Sequence, residues 1–102
     1  MVGPDVSGMA SEVASEVAMR LRITVRFFAA ARAAVGADAE TLSVAAGTSI
    51  GDLVETLARR NAKLATVLPR CSYLCDGVAV RDQSARLRTG DTIDVLPPFA
   101  GG

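Results

Sequence analysis

From Leu21 to Phe27 the chain reads Leu-Arg-Ile-Thr-Val-Arg-Phe, apolar and polar in strict alternation. This run constrains the fold more than any other. Successive side chains of a strand point to opposite faces, so Leu21, Ile23, Val25 and Phe27 share one apolar row. The segment is therefore predicted to be a half-buried strand, and it demands something apolar to cover it. Phe28 has the opposite parity and is expected to face away from the core. A second alternating run, Asp91 to Leu96, buries Ile93 and Val95 and leaves Leu96 on the parity of Phe28.

The covering element is also legible. Ser49 is a good helix N-cap with Asp52 three residues on, close to a capping box, and the acid suits the positive end of the helix dipole. Ile50, Leu53, Val54 and Leu57 then fall at i, i+3, i+4 and i+7, one apolar stripe. Glu55 precedes Arg59 by four on the exposed side, and Arg59 and Arg60 occupy the helix end. Between these anchors, Ala29 to Val35 reads as a short helix stopped by Gly36. Thr41 to Val44 reads as a short strand with Leu42 and Val44 inward, and Asn61 to Leu68 as an irregular return closed by Pro69. Cys71 to Cys75 is a strand, Asp76-Gly77 a hairpin turn, and Val78 to Val80 the returning strand. Arg81 to Leu87 is a loop or short helical turn, and Thr89-Gly90-Asp91 turns the chain into the last strand. This order predicts an α+β domain in which a mixed sheet wraps one main helix, with the β-grasp fold as the natural candidate.

Composition narrows the chemistry. The chain has 102 residues, enough for one domain, with half of them hydrophobic. Three Phe, one Tyr and no Trp leave the core to aliphatic side chains. There is no histidine, which removes the commonest general base and metal ligand and argues against a self-contained hydrolase or a zinc site. Eleven basic and eleven acidic residues balance, so nothing steers the protein to nucleic acid or an anionic membrane, and no apolar run approaches the roughly 18 residues of a membrane span. Cys71 and Cys75 lie about 13 Å apart on one strand face, too far to bridge; with no further ligands for a metal, they read as reduced structural thiols of a cytoplasmic protein. Residues 1–19 carry Asp5, Glu12 and Glu16 and no basic residue, unlike a secretory signal. They are read as a flexible N-terminal extension to a domain at 20–96.

The tail at 97–102 is Pro-Pro-Phe-Ala-Gly-Gly. Pro97 and Pro98 end strand pairing and hold the chain extended, and the residues after them project on the order of 13 Å. Gly101 and Gly102 place no side chain beside the final carboxylate, so such a tail fits a narrow active site.

Several features recur together in one family. The first strand runs into Phe27-Phe28-Ala29, with Arg32 and Gly36 following. Gly90-Asp91 then opens the last strand, and Pro97-Pro98-Phe99-Ala100-Gly101-Gly102 closes the chain. Over residues 20–102 the sequence resembles the ubiquitin-like sulfur carriers of the MoaD/ThiS type, especially the small subunit of molybdopterin synthase; residues 1–19 have no counterpart in the compact family domain. The resemblance implies that the carrier binds no cofactor and no metal itself. An adenylating enzyme of the MoeB type would use ATP to activate the Gly102 carboxylate, and a sulfurtransferase would supply sulfur for a C-terminal thiocarboxylate. Pro97, Pro98 and Gly101 would position that group. A MoaE-type large subunit, in a heterotetramer of two small and two large subunits, would hold precursor Z and receive the sulfur, so the small subunit is not catalytic alone. Phe28 and Leu96, joined by Val80, Phe99 and Arg32, are expected to form the partner surface. A sulfur carrier for thiamine, cysteine or thiouridine synthesis, a ubiquitin-like modifier of lysines, and a plain β-grasp interaction module are the competing readings.

Overall fold

The computed structural model describes residues 19–98. Five strands and three helices follow in order: β1 (Arg20–Phe27), α1 (Ala29–Val35), β2 (Ala39–Ala45), α2 (Ile50–Arg60), α3 (Ala62–Val67), β3 (Ser72–Cys75), β4 (Val78–Ala79) and β5 (Thr92–Leu96), with a 3-10 turn at Leu68–Arg70. The strands form one sheet in the order β2-β1-β5-β3-β4. The central pair, β1 and β5, is parallel, with Val25 opposite Ile93 and Phe27 opposite Val95. Every other pairing is antiparallel. This is the β-grasp, ubiquitin-like architecture.

One face of the sheet is covered. Ile23, Val25, Phe27, Ile93 and Val95 pack with Leu53 and Leu57 of α2, Leu64 of α3, and Leu68, Tyr73 and Leu87 in a single aliphatic core. Leu53 and Ile93 are wholly buried, and a side chain of that size contributes roughly 1.5–3 kcal/mol by leaving water. At the start of α2 the capping box is complete. Ser49 Oγ accepts from the Asp52 amide at 3.0 Å, and the Asp52 carboxylate accepts from the Ser49 amide at 3.1 Å. Removing such a cap costs about 1 kcal/mol. At the other end, Glu55 pairs with Arg59 at 2.8 Å and Arg60 reaches across to Glu40 at 2.5 Å.

Helix α1 ends at Gly36, which takes φ +82° and donates to the Arg32 carbonyl at 2.8 Å. The hairpin turn places Asp76 at φ +49° and Gly77 at φ +83°, consecutive left-handed residues that match the twist of the flanking strands.

Three local expectations change. Residues 62–67 are helical rather than an irregular return: Asn61 caps α3, its Oδ1 accepting from the Leu64 amide at 3.0 Å, while its Nδ2 donates to the Ala34 carbonyl at 3.1 Å. The side chain thus closes the helix and ties it to α1. Strand β2 is longer than Thr41 to Val44, because the full length of β1 offers it partners from Arg20–Ala45 to Arg26–Ala39. Strand β4 ends at Ala79, one residue before Val80. The proposed extension and the Phe99–Gly102 end of the tail lie outside the described residues, Met19 apart. No helix among the described residues is long and apolar enough to cross a membrane.

Candidate functional site: the open face of the sheet

The face that the described residues leave uncovered carries the opposite parity of each strand. From β1 it takes Arg22, Thr24 and Arg26; from β5, Thr92, Asp94 and Leu96; from β3, Ser72 and Leu74. The register continues one step past β1: the Phe28 amide donates to the Val95 carbonyl at 3.2 Å, which sets Phe28 beside Leu96 on this face. Phe28, Leu74 and Leu96 are all half-buried and stand outside the core cluster. Immediately after Leu96 the chain enters Pro97, which is buried, and then Pro98, which is exposed. An apolar group thus lies at the root of the tail.

At its centre sits an ion pair. Arg26 Nε donates to Asp94 Oδ1 at 2.6 Å, and Nη2 donates to Oδ2 at 2.8 Å, a two-pronged match of guanidinium to carboxylate across the β1–β5 pair. The Asp94 side chain is only 6% exposed, whereas that of Arg26 is 51% exposed. Hydrogen bonding to Asp94, and then its charge, push the Arg26 pKa further up. The guanidinium carbon also lies 5.5 Å from the centre of the Phe28 ring, within cation–π range.

Phe28 is aimed by strained backbone. It stays extended, at φ −122° and ψ 152°, and the next residue, Ala29, turns the chain at φ +50°. A left-handed alanine is disfavoured by about 1–2 kcal/mol relative to an ordinary conformation, and the turn from strand to helix is completed in that single residue.

The other chemistry-bearing groups are quieter. Cys71 and Cys75 are free thiols packed against the core. Burial pushes the Cys71 thiol up; burial, followed by the Asp91 and Asp76 carboxylates, pushes Cys75 up to about 11. Both are protonated at neutral pH and are poor nucleophiles. Cys75, Asp76 and Asp91 place ligand atoms within 4.8 Å of one another. Both carboxylates already have backbone work: Asp76 accepts from the Thr92 amide at 2.9 Å, and Asp91 from the Arg88 amide at 2.8 Å. Tyr73 donates to the Leu68 carbonyl at 2.9 Å and is pushed up to about 12, chiefly by burial.

The ThiS family matches residues 25–102, from the middle of β1 to the final glycine. The chain belongs to the ThiS family. It is 28% identical over 83 residues to the molybdopterin synthase sulfur carrier subunit of Chlamydomonas reinhardtii, covering 80% of this chain and all of that protein. Its fold matches the solution structure of the Haloferax volcanii HVO 2177 protein with a TM-score of 0.73 and 31% identity, over 82% of this chain and 89% of that one. It also matches a chain in the complex of subunits 1 and 2 of the molybdopterin-converting factor from Helicobacter pylori, at a TM-score of 0.62 and 21% identity, over 80% of this chain and all of that one.

Set on this ThiS-family domain, the expected site residues separate. Phe28 and Leu96 fall together on the open face. Val80 does not join them: it packs against the core cluster, with its amide donating to the Tyr73 carbonyl at 2.9 Å. The pairing of Leu74 with Ala79 fixes that parity, so the next residue, Val80, falls on the covered side. Arg32 lies exposed on α1, bonded to Asp38 at 3.3 Å. Pro97 and Pro98 lead out of β5, while Phe99, Gly101 and Gly102 lie outside the described residues. Arg26, Asp94 and Leu74 were absent from the expected site. Their one signal in the sequence is parity shared with Phe28 and Leu96; the strand order that assembles them is not written locally.

Proposed function

We propose that this chain is the sulfur-carrier small subunit of a molybdopterin synthase. The observation that carries the reading is the extent of the family match, which runs through residue 102 and so includes the Gly-Gly end. The named Chlamydomonas relative, matched along its whole length, supports the molybdenum route over other sulfur-carrier pathways.

Chemically, the tail needs activation because a carboxylate resists nucleophilic attack. An adenylating partner joins the Gly102 carboxylate to the AMP moiety of ATP, releasing pyrophosphate. A persulfide sulfur, supplied by a sulfurtransferase, then attacks the acyl carbon and displaces AMP; a thiol next attacks the sulfurtransferase-side sulfur, forming a disulfide with it and releasing the thiocarboxylate. Carried into a large subunit, that sulfur is donated to precursor Z, and a second carrier supplies the other sulfur of the dithiolene. This chain contributes no acid, base or cofactor to these steps. Its part is to dock through the face bearing Phe28 and Leu96 and to extend into the partner a tail that ends in two glycines, in the cytoplasm. The Helicobacter complex of subunits 1 and 2 supports a two-protein arrangement of this kind.

Intact-mass measurement tests the reading. Incubation with ATP, the adenylating partner and a sulfur donor is expected to add about 16 Da, one oxygen exchanged for sulfur at the activated acyl carbon. Deleting Gly102, or extending the chain beyond it, is expected to abolish both the mass shift and molybdopterin formation while leaving thermal melting unchanged, since the core of the described domain keeps every side chain. A truncated chain that still supports synthesis would overturn the proposal. Conjugates of high mass on lysines, with no thiocarboxylate, would place the chain among the modifiers instead.

A further inference from the structure

We propose that the Arg26–Asp94 pair is the specificity element of the docking face, and that the partner seated there sets a carboxylate over the free edge of Arg26. The inference rests on the docking reading above and adds to it the chemistry of the opposing surface.

Asp94 uses both oxygens on Arg26 Nε and Nη2, so its charge is satisfied within the chain. The guanidinium is not used up. Nη1 has no hydrogen-bond partner among the described residues, and half of the side chain remains exposed beside the apolar group. Planar, held at two points and lying near the Phe28 ring, the guanidinium keeps a fixed orientation that an unanchored side chain would not have. It presents donors without losing much conformational freedom on binding.

Charge on the same face sets the sign of the partner. Arg20 and Arg22 lie along β1 with the parity of Arg26, both exposed, and Arg20 is bonded to Ser43 rather than to an acid. Within the strands of this face three guanidiniums stand against one carboxylate, that of Asp94, an excess of positive charge along β1. The apolar group of Phe28, Leu74 and Leu96 lies at one end, where the tail departs. A complementary surface therefore combines an apolar patch at the tail root with acidic side chains along β1, one of them meeting Arg26. A wholly apolar partner would leave the Arg26 donors buried and unpaired.

The test titrates the full chain against its purified large subunit at low and high salt, for three variants. Replacing the pair by apolar residues, Arg26→Leu with Asp94→Ala, removes both charges together, so melting is expected to hold. Affinity is expected to fall at least about ten-fold, with a shallower salt dependence. Arg26→Lys keeps the charge but loses the fork, and is expected to weaken binding while the salt dependence persists. Phe28→Ala, measured alongside, reports on the docking face itself. If Phe28→Ala weakens binding while the double variant and Arg26→Lys both keep wild-type affinity and salt dependence, the inference is overturned and the docking reading stands. If Phe28→Ala also binds as wild type, the docking reading falls and this inference falls with it. Should the double variant fail to fold, Arg26→Lys decides on its own.

Discussion

Phe27 and Phe28 are adjacent in the chain and belong to two different surfaces. Phe27 is 2% exposed, packed beneath α2 and α3 with the aliphatic core. Phe28, one residue on, is half-buried on the open side, near a guanidinium and beside Leu96. The covered face is apolar apart from Glu40, paired with Arg60 near its edge, and the Tyr73 hydroxyl, bonded to the Leu68 carbonyl, and its side chains answer chiefly to packing. The open face mixes an apolar group, an ion pair with a free guanidinium edge and exposed arginines, a composition that packing alone does not require. The difference separates residues that hold the fold from residues available to a partner, although both sets come from the same strands.

Truncating the two phenylalanines in turn is the sharpest way to break this division. Phe27→Ala leaves a cavity in a closed core and is expected to cost about 3–5 kcal/mol, seen as a large fall in denaturant midpoint. Phe28→Ala is expected to cost less than about 1.5 kcal/mol in folding, while weakening partner binding by about 2 kcal/mol or more. Equal losses of stability would show that Phe28 is a core residue and dissolve the distinction.

A smaller effect sharpens the covered side. The Cys75 thiol holds its proton up to about 11 in the folded chain, against an ordinary 9.0. The unfolded chain ionises first, so stability is whole below pH 9 and declines as pH rises from 9 towards 11. Tyr73, ordinarily 10.0 and here about 12, extends the decline above pH 10. Chemical denaturation across this range is expected to slope downward, with Cys75→Ala flattening its lower part. Identical slopes in both proteins would mean that the thiol feels no burial.

The smallest expected change lies at the junction of the two faces. Ala29→Gly relieves the left-handed backbone at φ +50° and is expected to stabilise the domain by about 0.5–1 kcal/mol, a rise of a few degrees in melting temperature. A drop in melting temperature would show that Ala29 is not strained.

Much of this molecule is written in short stretches of sequence. Alternation over Leu21–Phe27 and Asp91–Leu96, the stripe Ile50–Leu53–Val54–Leu57, the Ser49 cap, the Gly36 stop and the Asp76-Gly77 turn each depend on neighbours within a few residues, and each predicts its element. Helix α3 escaped because six residues carry too little periodicity, and its cap, Asn61, reads equally well as a linker residue. Val80 was misplaced because a strand of two residues supplies no alternation from which to count parity. The candidate site was half legible: opposite parity marked Phe28 and Leu96 as facing away from the core, but nothing near them singles out Arg26, Asp94 or Leu74. Arg26 and Asp94 stand 68 residues apart, and only the parallel pairing of β1 with β5 brings them into one ion pair. Local sequence determined which residues leave the core; the order of strands in the folded sheet decided which of them meet, because a contact across the sheet depends on register that no short segment encodes.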